Sequence, residues 1–240
     1  MELKFLGRGG AFFVKEGNTA AYFIEGKNLF LIDCGESVFA KIVLLDLLPK
    51  NGIGNVYCFV THMHSDHVGS LSSLIYYCAY GIKDCPVKFY LVCPDGLKAD
   101  LMPMLAAQGN LSLINEMSTG DLRRGFKSFQ SVRYMRTTHQ AYHAAFGIEF
   151  STNEGLTYYS GDTNDIDFVG SYVRQGNKVA RMYVEASLAE YPNNVHLTLR
   201  GLSEVIPAEM RHKVYLMHFD CAECIAEAKK LGFQVVECVK

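Results

Sequence analysis

Val60-Thr61-His62-Met63-His64-Ser65-Asp66-His67-Val68 is the stretch on which the reading of this chain turns. It follows an apolar run over residues 56–60 that reads as a strand, and in an extended strand end residues i and i+2 point the same way. His62 and His64 therefore converge on one point. Downstream, Val68, Leu71, Leu74, Ile75 and Cys78 recur at helical spacing, so the chain turns into a helix and can present Asp66 and His67 to a second point close by. Imidazole nitrogen combined with carboxylate oxygen suits Zn2+, with Mn2+ or Fe2+ as the other candidates. Three histidines and an aspartate within six residues form a cluster that a core or surface strand does not need.

A metal site needs further ligands, and three are delivered by apolar runs elsewhere. His139 ends the run over 132–138, Asp162 lies in Tyr158-Tyr159-Ser160-Gly161-Asp162-Thr163, and His218 follows the run over 214–217. Ligands at strand ends can meet along one edge of a layered core. Strands are predicted at 3–6, 20–24, 28–32, 87–92, 144–150, 157–159, 182–184 and 235–238 as well. Helices are predicted to carry Phe39, Ile42, Val43, Leu45 and Leu48, and to cover 97–107, 166–173, 199–210 and 224–230. Meandering strands followed by βα units predict an α/β sandwich of mixed sheets with helices outside, in one domain over residues 1–240.

The 240 residues carry a formal charge of −2, with 49% hydrophobic and 20% charged residues, which excludes a disordered or fibrous chain. That balance exerts no global pull on nucleic acid or anionic lipid. No apolar run reaches the roughly 18–20 residues that span a bilayer, and no leader pattern opens the chain, so a cytoplasmic protein without membrane contact is expected. The eight cysteines sit mostly in apolar runs and are expected as reduced, buried thiols.

With these residues in view, the chain resembles the metallo-β-lactamase superfamily. The resemblance runs through Phe5-Leu6-Gly7, Leu31-Ile32-Asp33-Cys34-Gly35-Glu36, the His62 to His67 motif, His139, Ser160-Gly161-Asp162-Thr163 and His218. It implies a four-layer αββα sandwich and two divalent ions. One ion would take His62, His64, His139 and Asp162, the other Asp66, His67, His218 and the same Asp162. A pair so held binds a bridging hydroxide, and Asp33 would support the ligand loop. β-Lactamases of this fold place Cys where Asp162 stands and lack His at the place of His67, and flavodiiron enzymes place Glu where His64 stands. Both branches are set aside.

Leu31 to Glu36, Phe5-Leu6-Gly7, and Glu185-Ala186-Ser187 followed by His196-Leu197-Thr198 are similar to the ribonuclease Z branch. That likeness implies His196 as proton donor to the leaving oxygen, with Glu185 as its partner; the plainer reading is a residue before a helix capped by Thr198. His139 and Asp162 are only 23 residues apart, too few for the tRNA-gripping arm that this branch often inserts. The chain thus looks more like compact phosphodiesterases of the branch, including the phage anti-Pycsar enzymes, homodimers that open cyclic mononucleotides.

Several lesser features carry weaker expectations. Arg123, Arg124, Lys127, Arg133 and Arg136 could guide a phosphate toward His139, or form a solvated hairpin face. Cys221 and Cys224 read as helix-start thiols, and Gly7-Arg8-Gly9-Gly10 as a turn near the site. Tyr142 and His143 are candidates for stacking on a base. The expected function is a dinuclear metal-dependent hydrolase of small or cyclic nucleotide phosphodiesters in which Asp66 orients the nucleophile. Extended tRNA binding is not expected. Ribonuclease Z-type tRNA 3′ cleavage is the alternative, a thioester or lactone hydrolase a further one, and a metal-binding scaffold without turnover the reading from another class.

Overall fold

Near-continuous apolar runs in β1 (Lys4–Gly7), β2 (Ala20–Glu25) and β3 (Asn28–Ile32) build an antiparallel meander. β4 (Asn55–Phe59), β5 (Lys88–Val92) and β6 (Ile114–Glu116) then add in parallel beside β3. Parallel neighbours require crossovers, supplied by α1 (Val38–Leu44) with α2 (Leu47–Lys50), by α3 (Ser65–Val68) with α4 (Leu71–Tyr76), and by α5 (Asp95–Ala107). After α6 (Thr119–Gly125) the same plan repeats. β7 (Ser131–Thr137), β8 (Ala145–Thr152) and β9 (Gly155–Tyr159) form an antiparallel meander. β10 (Val179–Glu185), β11 (Val214–Met217) and β12 (Gln234–Val235) follow in parallel, with crossovers through α7 (Ile166–Val173), α8 (Leu199–Val205) and α9 (Ala222–Lys230). The computed structural model, which describes residues 1–83, 85–140 and 143–240, therefore contains two six-stranded sheets of matching topology.

The inner faces of the two sheets meet on Phe5, Phe30, Tyr57, Phe59, Phe150, Tyr159 and Tyr183, all buried. Phe23, Phe30, Tyr57 and Tyr90 occupy paired positions on β2 to β5 and stack at centroid separations of 4.6, 4.9 and 4.6 Å. Cross-strand aromatic pairs of this kind fix the register of a sheet. Truncating Phe30 to Ala in this layer costs about 3–5 kcal/mol. A second cluster, including Ile42, Leu71 and Leu101, lies under the helices of the first sheet, and a third, including Val169, Leu202 and Cys224, under those of the second. The expected αββα sandwich is the observed one.

The structure departs from expectation where a local residue breaks a helix. The helix through Phe39 and Leu48 divides because Asp46 adopts a left-handed conformation, φ 51°. The helix expected over 199–210 stops at Val205, since Pro207 has no N–H to give and holds Ile206 extended. The basic stretch divides: Arg123 and Arg124 lie in α6, which a Ser118–Asp121 capping box starts, while Arg133 and Arg136 lie exposed on β7, in the expected hairpin face with β8.

Candidate metal centre

The functional side chains emerge where β3, β4, β7, β9, β10 and β11 end. Asp33 directly follows β3 with φ 63°, which turns its carboxylate under the His-rich loop after β4. One oxygen accepts from Thr61 N at 2.8 Å; the other accepts from Thr61 Oγ1 at 2.7 Å and from His67 Nδ1 at 2.8 Å. The β3 and β4 loops can touch because residue 35 is glycine: a Cβ there would stand 1.9 Å from the Asp66 carbonyl oxygen. Gly161, φ 57°, plays the same part before Asp162, since a Cβ would lie 2.6 Å from the Phe146 carbonyl oxygen. His218 also has a left-handed backbone, φ 55°, and its ring lies against Gly10. The Gly-Arg-Gly-Gly turn thus packs on the site, as expected.

The structure brings together all seven of the side chains singled out as metal ligands. Potential donor atoms of His62, His64, His139 and Asp162 lie within 4.8 Å of one another, as do those of Asp66, His67, Asp162 and His218. Asp162 belongs to both groups. In the first, His62 Nε2 is 3.0 Å from His64 Nδ1, His139 Nε2 is 3.3 Å from the same atom, and Asp162 Oδ2 is 3.8 Å from both His62 and His139. In the second, His218 Nε2 lies 3.2 Å from Asp66 Oδ2 and 3.4 Å from Asp162 Oδ2, while His67 Nε2 lies 3.3 Å from Asp162 Oδ1.

These residues fit a pair of divalent cations on the evidence of their protons. His67 Nδ1 donates to Asp33 and His139 Nδ1 to the Val195 carbonyl oxygen, 2.8 Å each. Thr61 Oγ1 gives its own proton to Asp33, so it accepts from His62 Nδ1 at 3.1 Å. His62 and His139, whose neutral forms burial favours, are left with an unprotonated Nε2 directed at neighbouring nitrogens and the Asp162 carboxylate, while His67 turns its Nε2 toward Asp66 and Asp162. Facing lone pairs without protons repel unless a cation lies among them, and backing a ligand histidine with a carboxylate or carbonyl is how proteins fix its tautomer.

The electrostatics agree. Burial, reinforced by the neighbouring His67, lowers His62 well below the ordinary histidine value, and burial brings His139 down to about 4. Burial opposes charge on Asp66 and Asp162 as well, but hydrogen bonds to Asp66 from His218 and His67, and the charges of His218 and His67 beside Asp162, hold both carboxyls well below the usual range. His67 and His218 are pushed up, against the effect of burial, chiefly by Asp162. The pocket favours positive charge.

Asp162 and His218 share a third group of potential donors with Glu185 and His196, in which the last two form a hydrogen-bonded pair. His196 Nδ1 lies 2.6 Å from Glu185 Oε2, and Glu185 also accepts from Thr163 N. Glu185 is fully buried at the end of β10; burial and the charge of Asp162 raise its carboxyl. Burial disfavours charge on His196, but the Glu185 carboxylate outweighs it and lifts the ring to about 9. Thr198 caps α8 by accepting from Gly201 N at 3.1 Å, so the cap and the His196–Glu185 pair coexist.

Both groups and His196 open onto one cavity of about 600 Å3, walled further by Phe12, Gln140, Tyr191, Asn194 and Asp220. Among the described residues no Lys or Arg lines it. The basic stretch is spent elsewhere, Arg124 on Asp121 and Arg133 on Glu149. His143 is exposed, and Tyr142 lies outside the described residues. Sequence reasoning missed the cavity walls at Phe12, Tyr191, Asn194 and Asp220. Only the position of Asp220, two residues beyond a strand-end histidine, offered a signal for any of them.

The fold and these overlapping donor groups define a metallo-β-lactamase-fold protein with a candidate metal centre. Over 99% of this chain, it superposes on 95% of the metallo-β-lactamase fold protein YhfI from Bacillus subtilis with a TM-score of 0.68 at 16% identity. Residues 1–238 match the family described as Anti-Pycsar protein Apyc1, and the chain belongs to that family. The Anti-Pycsar protein Apyc1 of Bacillus phage BSP38 is 26% identical over 237 residues, which cover 91% of this chain and 88% of the phage protein. Ribonuclease Z of Halobacterium salinarum is 27% identical over 153 residues, 62% of this chain and 47% of that enzyme.

Proposed function

We propose that the protein is a dinuclear, zinc-dependent phosphodiesterase acting on small or cyclic nucleotides, and that its 240 residues work as one catalytic domain. The observation that carries this reading is the single cavity onto which two donor groups and the His196–Glu185 pair all open. Kinship with anti-Pycsar proteins supports a cyclic mononucleotide as substrate. So does the cavity wall: exposed aromatic rings at Phe12 and Tyr191 suit a planar base, and the lack of Lys or Arg among the described lining residues suits a ligand with one phosphate charge.

In this reading His62, His64, His139 and Asp162 hold one ion, and Asp66, His67, His218 and Asp162 the other. Divalent ions there supply charge neutralisation at the phosphate and lower the pKa of a water toward neutrality. Asp66, held ionised, orients the attacking water. As the bond from phosphorus to the leaving oxygen breaks, His196 passes a proton from Nε2 to that oxygen, while Glu185 grips Nδ1 and stabilises the charged ring. Asp33 keeps His67 and the backbone of Thr61 in place. A homodimer in a reducing cytoplasm completes the proposal; the free cysteines support that compartment, and no helix among the described residues is long and apolar enough to cross a membrane.

Ribonuclease Z-type cleavage of tRNA is the second reading, favoured by the match to Ribonuclease Z over 62% of the chain. Against it, β8 and β9 take up most of the interval between His139 and Asp162. The test is a panel on zinc-loaded protein: 3′,5′-cyclic mononucleotides, bis(p-nitrophenyl) phosphate, precursor tRNA and a thioester. The cyclic nucleotides are expected to give the highest kcat/KM. Preference for precursor tRNA selects the second reading, and preference for the thioester discards both.

A further inference from the structure

His196 is carried by a loop that makes few apolar contacts of its own. Its roots are joined, with Ser187 N donating to Leu197 O at 3.0 Å and Leu199 N to Ser187 O at 2.9 Å, but residues 188–192 between them are exposed. The position of the loop rests on a few polar contacts. Asp220 Oδ2 accepts from both Leu188 N and Ala189 N, 2.9 Å each. Asn194 Nδ2 donates to Ala189 O at 2.8 Å, and Asn194 Oδ1 accepts from His196 N at 3.1 Å. The contacts run unbroken from Asp220, two residues beyond His218, through Ala189 and Asn194 to the backbone of His196.

We propose that Asp220 is a positioning residue, seconded by Asn194, that sets the proton-donating His196 in register with the metal-binding side chains; the proposal rests on the phosphodiesterase reading above. The alternative is a bond that merely tidies a surface loop. Two observations argue against it. The N–H groups of Leu188 and Ala189 lie on exposed residues, where water satisfies them equally well, so the carboxylate is not needed to avoid an unpaired buried donor. Asp220 also forms part of the wall of a cavity that has to receive an anionic phosphate, where its charge weakens binding. A carboxylate that disfavours substrate at that position is explained by what it holds. The tie is direct, because β11 delivers His218 and Asp220 on one short segment. Glu185 holds the His196 ring from behind and His139 and Asn164 hold the backbone carbonyls of Val195 and Asn194, so the Asp220 bonds are the part of this support that links the outer turn of the loop to the His218 segment.

The consequence is specific to the leaving group. An alkoxide needs a proton as it departs, whereas p-nitrophenolate leaves without one. With the zinc-loaded 240-residue protein, Asp220→Ala is expected to lower kcat about 10- to 100-fold on a 3′,5′-cyclic mononucleotide and by less than about threefold on bis(p-nitrophenyl) phosphate. Asp220→Asn keeps a carbonyl oxygen for the two N–H groups and removes the charge. Its kcat on both substrates should stay within about threefold of wild type, with a lower KM for the cyclic nucleotide. Asn194→Ala, at the other end of the relay, should repeat the Asp220→Ala pattern and carries the test if Asp220→Ala does not fold. Equal losses on the two substrates at unchanged zinc content, or no loss on either, overturn the assignment of Asp220. A wild-type protein that turns over neither diester overturns the phosphodiesterase reading itself, and with it any role for Asp220 in catalysis.

Discussion

His196 Nδ1 and Glu185 Oε2 stand 2.6 Å apart, with the histidine ring at the cavity and the carboxylate wholly buried behind it. This geometry makes a charged imidazole stable at neutral pH. Burial lowers the affinity of the ring for its proton, and the charge and hydrogen bond of Glu185 raise it by more, to about 9. The acid form is therefore present at lower pH and disappears as pH rises through that value, and any stability the pair confers is lost in the same direction. In Glu185→Gln the ring loses its counter-charge. The alkaline limb of the kcat profile is expected to move to lower pH, and an unmoved limb would separate Glu185 from the titration.

Replacing His196 by Ala removes the proposed proton donor but none of the seven side chains proposed to hold the two ions. Turnover of a cyclic nucleotide should fall about 10²- to 10⁴-fold with metal content unchanged. Steady-state kinetics beside elemental analysis provides the check, and full activity would reassign the residue.

Asp162 is shared by both groups, whereas His64 serves only one. Elemental analysis of protein purified in the presence of zinc should find about two ions per chain in the wild type. Asp162→Ala should lose most of both, and His64→Ala should keep the equivalent of the one ion that Asp66, His67 and His218 are proposed to hold. Equal retention in the two variants contradicts the shared role. Chelation should lower the Tm of the wild type, since a ligand that binds only the folded chain stabilises it by mass action.

Three hydrogen bonds converge on the buried carboxylate of Asp33. Asp33→Ala abandons the Thr61 amide, the Thr61 hydroxyl and His67 at once, and should destabilise the fold by about 3–5 kcal/mol in urea unfolding. Metal affinity should weaken about 10- to 100-fold through the loss of orientation at His67. A loss below about 1 kcal/mol would show that water replaces the carboxylate.

Burial pushes the Cys34 thiol up to about 12 and Cys93 to about 11, and holds Cys58 well above its ordinary value. Cys85 alone among the cysteines is exposed. A thiol-reactive chromogen at neutral pH is thus expected to label Cys85 rapidly, Cys221 and Cys238 slowly, and the rest after unfolding. Four or more fast thiols would contradict the packing of the core.

The candidate metal centre was legible in the sequence because its chemistry is local. His62 to His67 sit within six residues, and the distant partners each end an apolar run with a ligand-type side chain. The sandwich was legible for a related reason, since strands covered on both faces read as short continuous apolar runs and helices keep an apolar spacing wherever one face is buried. What escaped depends on contacts that leave no periodic trace. The left-handed backbone of Asp46 divided a helix whose apolar spacing continues across the break, and the short edge strand β6 with its exposed Asn115 and Glu116 has no apolar pattern to read. Asn194 and Asp220 look like ordinary loop residues until the fold brings the end of β11 against the loop after β10.

The two sheets share one topology, and the donor groups draw on both: His62, His64, Asp66 and His67 come from the first half of the chain, His139, Asp162 and His218 from the second. Neither of these two groups is complete within one half. The metals would act as rivets across a seam, so that the two halves cannot part without releasing their ions. Zinc affinity is then also a gauge of how firmly the halves hold together, and a substitution deep in the aromatic layer should be felt at the metals without touching them.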